Sequence, residues 1–185
     1  MIDGTRLPTL AAERLELRWL EAGDVPALFE VFSDPQVMRY WSSPPLCDLA
    51  AAKDLLGEIH AHFATKDLFQ WGVVLRTTGS VVGTCTLAHV DPDNLRAEIG
   101  FALARAHWGK GLVGEALRTL IGFAFGELGL RRLEADVDPR NERSVRTLER
   151  LGFVREGLLR ERWFVAGEVQ DSALFGLLKR EWAEA

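Results

Sequence analysis

Polar and apolar residues alternate along 13–20, Glu-Arg-Leu-Glu-Leu-Arg-Trp-Leu, the period-two pattern of a half-buried strand. Asp24 then offers a helix N-cap and Pro26 suits the first turn. Leu28, Phe29, Val31 and Phe32 form the apolar side of that helix, and Ser33-Asp34-Pro35 stops it. Residues 36–48 keep neither period. With Met38, Tyr40 and Trp41 ahead of Ser42-Ser43-Pro44-Pro45, they predict an irregular loop anchored by aromatic side chains. Helical spacing returns from about Leu49 to Phe63 through Leu55, Leu56 and Ile59. His60 and His62 lie within it, on different faces, and do not read as a metal pair.

Residues 69–76 and 81–90 read as strands joined by Thr77-Thr78-Gly79-Ser80, a hairpin signal. Asp91-Pro92-Asp93-Asn94 turns the chain into a third strand carrying Glu98, Ile99, Phe101 and Leu103, in which Gly100 predicts a bulge or a close backbone approach. From Leu112 the period is helical, through Ala116, Leu117, Leu120, Ile121, Ala124 and Leu128, with Gly129 suited to a left-handed C′ position. Residues 132–138 alternate as a strand. Asn141 opens a helix with Val145, Leu148 and Leu151 apolar, and Gly152 closes it. Strands at about 154–165 and 169–178 flank the turn Ala166-Gly167-Glu168. Hairpins at both ends with one strand-helix-strand unit between them predict an α/β (α+β) chain. Its sheet is mixed, mostly antiparallel and twisted, with about seven strands flanked by about four helices and one parallel pair at the crossover.

The change of period falls at Gly109-Lys110-Gly111, where a strand ends and a helix begins. Free N–H groups and the positive end of a helix dipole collect there, which is a phosphate-binding arrangement. Glycines at 109, 111 and 114 leave no Cβ between backbone and ligand, and Lys110 adds a cation. Alternatives are poorer. A Walker-type loop needs Ser or Thr directly after Gly-Lys, and here Gly111 follows. Gly109-Lys110-Gly111-Leu112-Val113-Gly114 spells a dinucleotide fingerprint but lacks the parallel strand and ribose-binding acid that would surround it.

The chain's 185 residues suit a single domain over 1–185. A formal charge of −5 argues against a nucleic-acid partner and suits a cationic substrate. No apolar run approaches the ~20 residues of a membrane span, and Met1-Ile2-Asp3-Gly4 lacks the form of a signal peptide, so a cytoplasmic setting is expected. Cys47 and Cys85 fit neither a CxxC motif nor a metal cluster and read as free thiols; no metal is expected.

Glu98-Ile99-Gly100-Phe101, Trp108-Gly109-Lys110-Gly111 and Glu115-Ala116-Leu117 resemble the acetyl-CoA motif of the GNAT superfamily of N-acetyltransferases. Asn141 with Ser144, Leu151-Gly152-Phe153 and the closing 178–182 resemble its RimJ/RimL-like branch, which acetylates ribosomal-protein N-termini. The resemblance spans nearly the whole chain. It departs at Ala106, where the superfamily often has Gln or Arg; Arg105 stands one step earlier. It implies the GNAT fold, acetyl-CoA as cofactor, and direct attack by an amine in a ternary complex. Edge strands in the closing hairpin leave a monomer or a homodimer open. The resemblance also implies a strand splayed from its neighbour to admit the pantetheine arm. The coenzyme-binding set would be Phe101, Ala102, Leu103, Ala106, His107, Trp108, Gly109, Lys110, Gly111, Leu112, Val113, Gly114, Asn141 and Ser144, with a backbone N–H near 101–103 polarising the thioester. Tyr40 and Trp41 would line the acceptor cleft together with Glu98 and Trp163.

Acetyl transfer needs a neutral amine, a held carbonyl and a proton for the departing thiolate. Glu98, beside the glycine loop, is the first candidate base, although it can also be read as an exposed strand carboxylate. Glu115, one turn past Gly111, is the competitor and equally suits helix stabilisation. Many superfamily members use a late-helix tyrosine as the acid, whereas this chain has only Tyr40, far upstream. Ser144 is then the candidate, a role compatible with helix capping beside Asn141. His107 and Trp108 serve equally as loop packing. Trp163 can equally fill the core. Arg143, Arg146 and Arg150 either meet a coenzyme phosphate or form a solvated helix face. The acceptor is expected to be a protein N-terminal α-amine. A polyamine, amino acid or aminoglycoside, or a non-catalytic acyl-CoA-binding module, are the alternatives.

Overall fold

The alternating runs assemble into one eight-stranded sheet in the order β1-β2-β3-β4-β5-β6-β8-β7. Its strands are β1 (Leu10–Ala11), β2 (Leu15–Arg18), β3 (Leu68–Leu75), β4 (Ser80–Asp91), β5 (Arg96–Leu103), β6 (Arg132–Val137), β7 (Val154–Val165) and β8 (Glu168–Leu178). The computed structural model describes Ile2 and residues 4–182; Met1 and Asp3 of the leader reading, and 183–185 of the expected domain, lie outside the described residues. Every neighbouring pair is antiparallel except β5 and β6. The eighth strand is the two-residue β1, too short to leave a periodic signal. An antiparallel sheet of this kind is not the parallel one a dinucleotide fold requires.

The helices are α1 (Val25–Ser33), α2 (Pro35–Met38), α3 (Leu49–Thr65), α4 (Leu112–Gly126) and α5 (Glu142–Arg150). The fifth is α2, a single turn inside the stretch read as loop. Asp34 makes it possible: its side chain accepts from the Gln36 N–H at 2.8 Å, and Pro35 holds the first position. Asp24 does not cap α1 with its side chain. It is bound instead by Arg18 at 2.7 and 2.9 Å.

Two apolar cores lie on opposite faces of the sheet. On one, α4 buries Leu117, Leu120 and Ile121 against β2–β6, joined by Leu148 of α5; truncating any one of these to Ala would cost about 2–5 kcal/mol. On the other, α1–α3 cover Leu20, Val74, Val81 and Ala102. Residues of β5 therefore divide by parity. Ala97, Ile99 and Leu103 face the α4 side, and Ala102 faces the α1–α3 side, which by alternation is also the side of Glu98.

The parallel pairing of β5 with β6 stops after three register pairs, Arg96–Arg132 to Glu98–Glu134. Beyond Glu98 the strands splay, and β6 continues beside β8. The irregularity expected at Gly100 lies elsewhere. Gly100 pairs regularly with Thr86, and a Cβ there would meet nothing nearer than 3.6 Å. The bulge is on β4 between Ala88 and Asp91, where His89 takes φ +49°. The close backbone approach is at Gly83, where a Cβ would fall 2.2 Å from the Ala102 carbonyl oxygen.

Candidate active site

Sequence and backbone together make the loop after β5 an anion receiver. Gly109 and Gly111 both take φ +74°, a left-handed conformation that side chains resist. Gly111 is the N-cap of α4, and no side chain caps the helix, so its first amides keep their donors for something else. The loop borders a cavity of about 1020 Å³ whose other walls are the end of β5, one side of α5 along its length, and α2 with the residues after it.

Most of the expected coenzyme residues meet there. Phe101, Ala102, Leu103, His107, Trp108, Gly109, Gly111, Leu112, Val113, Gly114, Asn141 and Ser144 line the cavity, as do Tyr40 and Trp41. Ala106 and Lys110 do not. Lys110 contributes its carbonyl instead, which accepts from Arg14 Nη1 at 3.0 Å. Arg105, beside Ala106, is engaged by Asp34 at 3.1 Å. Trp163 also stands apart, on the outer strand β7 and 38% exposed, with the Arg162 guanidinium 5.4 Å from its ring centre.

The sequence named Arg143, Arg146 and Arg150 without deciding their role, and it missed Arg118 altogether. All four line the cavity. Arg146 pairs weakly with Glu142 at 3.4 Å, and the other three have no carboxylate partner among the described residues. An acidic protein thus keeps unpaired cations from both α4 and α5 on one cavity. Arg143 packs over Trp108, 4.9 Å from its ring centre, while Trp108 Nε1 donates to the Leu103 carbonyl at 2.7 Å. One indole therefore ties the end of β5 to the start of α5. Glycine amides, a helix terminus and unpaired arginines on a roomy cavity suit a pyrophosphate-bearing ligand such as coenzyme A.

At the other end, Asn141 Oδ1 accepts from the Ser144 N–H at 3.3 Å, so the capping role is real. The Ser144 hydroxyl makes no hydrogen bond among the described residues and borders the cavity. Tyr40, remote in sequence, is not remote in space. Its ring lies near two guanidiniums, Arg39 at 5.4 Å and Arg140 at 5.8 Å. Arg140 is held in turn by Asp138 at 2.6 Å and by Glu168 of the last hairpin.

Glu98 does not line the cavity. It stands about 10 Å along β5 from Phe101, at the point where β5 and β6 part. Its Oε2 lies 3.1 Å from Nδ1 of His89, a residue the sequence reading passed over because the bulge that presents it leaves no periodic trace. Burial pushes the Glu98 carboxyl above the ordinary carboxylate range, and the charges of Asp136 and Glu134 add to this. The His89 hydrogen bond pulls the other way.

The ladder decides which amides of β5 are free. Ala104 N–H donates to the Val82 carbonyl at 2.8 Å, so by alternation Gly100 and Ala102 turn toward β4 while Phe101 and Leu103 turn toward the gap. The Leu103 carbonyl is taken by Trp108, and the Phe101 N–H faces the space between the splayed strands.

Glu115 is committed elsewhere, bound to Arg14 Nε at 2.7 Å. Cys85 is buried, its thiol pushed up to about 12 by desolvation, and Cys47 is exposed; neither is in a disulfide. Among the described residues, no group of three or more His, Cys, Asp and Glu could hold a metal ion, and no helix is long and apolar enough to cross a membrane.

Known proteins point the same way. The family model for the acetyltransferase (GNAT) domain matches residues 14–154. An uncharacterised N-acetyltransferase of Bacillus licheniformis, p20, is 40% identical over 96% of this chain and 99% of its own length. YdaF of Bacillus subtilis, whose name places it among ribosomal N-acetyltransferases, is 32% identical over 92% and 94%. Among solved structures, the spermidine N-acetyltransferase of Vibrio cholerae in complex with CoA and spermine superposes with a TM-score of 0.81, at 25% identity, covering 91% of this chain and 97% of that one. The mixed sheet, the glycine loop and these matches agree: the chain belongs to the GNAT family and is an acetyl-CoA-dependent N-acetyltransferase.

Proposed function

We propose that the acceptor is the α-amine of a protein N-terminus, that Glu98 removes its proton, and that Ser144 returns a proton to the departing thiolate. The observation that carries this reading is the parting of β5 from β6 just past Glu98, with a free Phe101 N–H in the gap and the cavity beyond it. Acetyl-CoA supplies an activated acyl group whose thiolate leaves readily.

The rest falls to the chain. Amides at the start of α4 and the unpaired Arg118, Arg143 and Arg150 hold the phosphates. The Phe101 N–H stabilises the negative charge that grows on the acyl oxygen as the amine attacks. Glu98 accepts a proton from the ammonium, through water across the intervening length of strand. Its carboxyl, raised by burial, is better matched to an α-amine near 8 than to a lysine near 10.4. The Ser144 hydroxyl has no competing partner and donates to the sulfur. Cys85 is too buried to act as a nucleophile, which fits direct transfer in a ternary complex. YdaF supports a protein acceptor by its name, and a cytoplasmic setting accords with one.

One observation favours a second reading. Glu98, Glu134 and Asp136 share a sheet face, an arrangement that also suits a polyamine, and the Vibrio cholerae relative was solved with spermine. Thiol release should be measured with basic N-terminal peptides, spermidine, amino acids and an aminoglycoside. Peptides should give the highest kcat/KM. A higher value with spermidine would replace the α-amine reading with the polyamine one, and activity retained in Glu98→Gln with the best acceptor would remove the assigned base.

A further inference from the structure

The glycine loop is held from behind by a residue almost a hundred positions away. Arg14, in the turn before β2, uses its backbone N–H and its guanidinium together. The N–H donates to Glu115 Oε1 at 2.6 Å, Nε donates to Glu115 Oε2 at 2.7 Å, and Nη1 donates to the Lys110 carbonyl at 3.0 Å. The Arg14 backbone is itself fixed in the sheet, since its carbonyl accepts from the Arg76 N–H at 3.1 Å. A bound carboxylate and a bound loop carbonyl thus share one anchored arginine.

The consequence follows from peptide geometry. In a trans peptide the C=O of one residue and the N–H of the next point in opposite directions, and the described residues contain no cis bond. The Lys110 carbonyl points at Arg14, so the Gly111 N–H points away from Arg14, and Gly111 borders the cavity. Gly111 takes left-handed φ where this peptide is held. Charge is handled at the same place. Glu115 lies in the first turn of α4, where its negative charge favours the helix start but would repel an incoming phosphate. Pairing with Arg14, at 16% side-chain exposure for Glu115, offsets that repulsion.

We propose that Arg14 and Glu115 are positioning residues that latch residues 109–115 in the conformation that receives the donor's pyrophosphate. The inference rests on the acetyl-CoA-dependent reading of this site. It assigns Glu115 a role other than catalytic base, and it gives Arg14 a role in donor binding although it lies outside the cavity.

Dissociation constants for coenzyme A and for pantetheine, which lacks the pyrophosphate, test it by tryptophan-fluorescence titration of wild type, Arg14→Ala, Arg14→Lys and Glu115→Gln. Arg14→Ala should weaken coenzyme A about tenfold, equivalent to about 1.4 kcal/mol, and leave pantetheine unchanged. Glu115→Gln should follow it, and Arg14→Lys, which keeps the charge without the fork, should fall between. Amide hydrogen exchange at 109–113 should also quicken in ligand-free Arg14→Ala. Equal loss for both ligands would mean a general structural role and overturn the latch, as would unchanged affinity for both. If Arg14→Ala does not fold, the shape-conserving Glu115→Gln carries the same comparison. Wild-type protein that binds no coenzyme A would overturn the donor assignment itself, a different failure.

Discussion

The two sides of the site are built from different materials. The donor side is mostly backbone: two left-handed glycines, an uncapped helix start and a strand end, with unpaired arginines at its edge. The acceptor side, as proposed, is mostly side chains drawn from distant segments. Tyr40 follows α2, His89 sits on the β4 bulge, Glu98 is on β5, and Arg140 is bridged to the last hairpin. A backbone site must keep its glycines and its register, whereas a side-chain site can be altered one residue at a time. On the proposed assignment, donor chemistry is therefore written into a short contiguous stretch, and acceptor choice is spread over the chain.

The sharpest way to break this comparison is Glu98→Gln. Removing a general base should lower kcat by about 10²–10⁴-fold, while affinity for coenzyme A stays the same. Stability should move the other way. Because the folded-state pKa of Glu98 is raised, its favourable contribution exists at low pH and is lost as pH rises through that value, so the neutral amide should not lower Tm at pH 7. A fall in coenzyme A affinity equal to the fall in kcat would show that the two sides are not separable.

Gly111→Ala is the counterpart on the donor side. Forcing φ +74° on alanine costs about 1–2 kcal/mol, and the loop escapes by turning the peptide that presents the Gly111 N–H. KM for acetyl-CoA should rise about tenfold with a smaller change in kcat. A third change probes the join between the sides. Gly83→Ala places a Cβ against the Ala102 carbonyl, so either β4 or β5 must yield near the gap. Overpacking of this kind costs about 1–3 kcal/mol, visible as a lower Tm, and it should disturb donor and acceptor kinetics together.

How much of this was legible in the sequence follows the same division. The change of period at 109–111 located the loop, and the element order gave the mixed sheet with one parallel pair, because both are local patterns. Arg14 and Arg118 left no trace. An arginine in an alternating run looks the same whether it faces water or anchors a loop a hundred residues away. Tyr40, kept as a cleft residue, was set aside as an acid for its distance along the chain, which the fold cancels. Gly100 was credited with a close approach that belongs to Gly83, since a glycine's spelling does not reveal which neighbour crowds it. Trp163 and Lys110 matched expected positions in type, yet neither lines the cavity.

The smallest predicted effect concerns His89. It is mostly exposed, and its hydrogen bond to Glu98 is one influence among several on that carboxyl. Burial, Asp136 and Glu134 raise the Glu98 pKa; His89 alone among the named neighbours lowers it. With Glu98 as the proposed base, its carboxylate is the working form, so kcat/KM should fall on the acid side through a limb lying above the ordinary glutamate value of about 4.3. His89→Ala removes the lowering influence and should move that limb to higher pH, leaving the plateau and coenzyme A affinity nearly unchanged. His89→Gln, which can keep a hydrogen bond but not a positive charge, should move it less. A limb that stays in place in both variants would mean that another group sets the acid side of the profile, and the acceptor side would then need a different base from the one the splayed strands present.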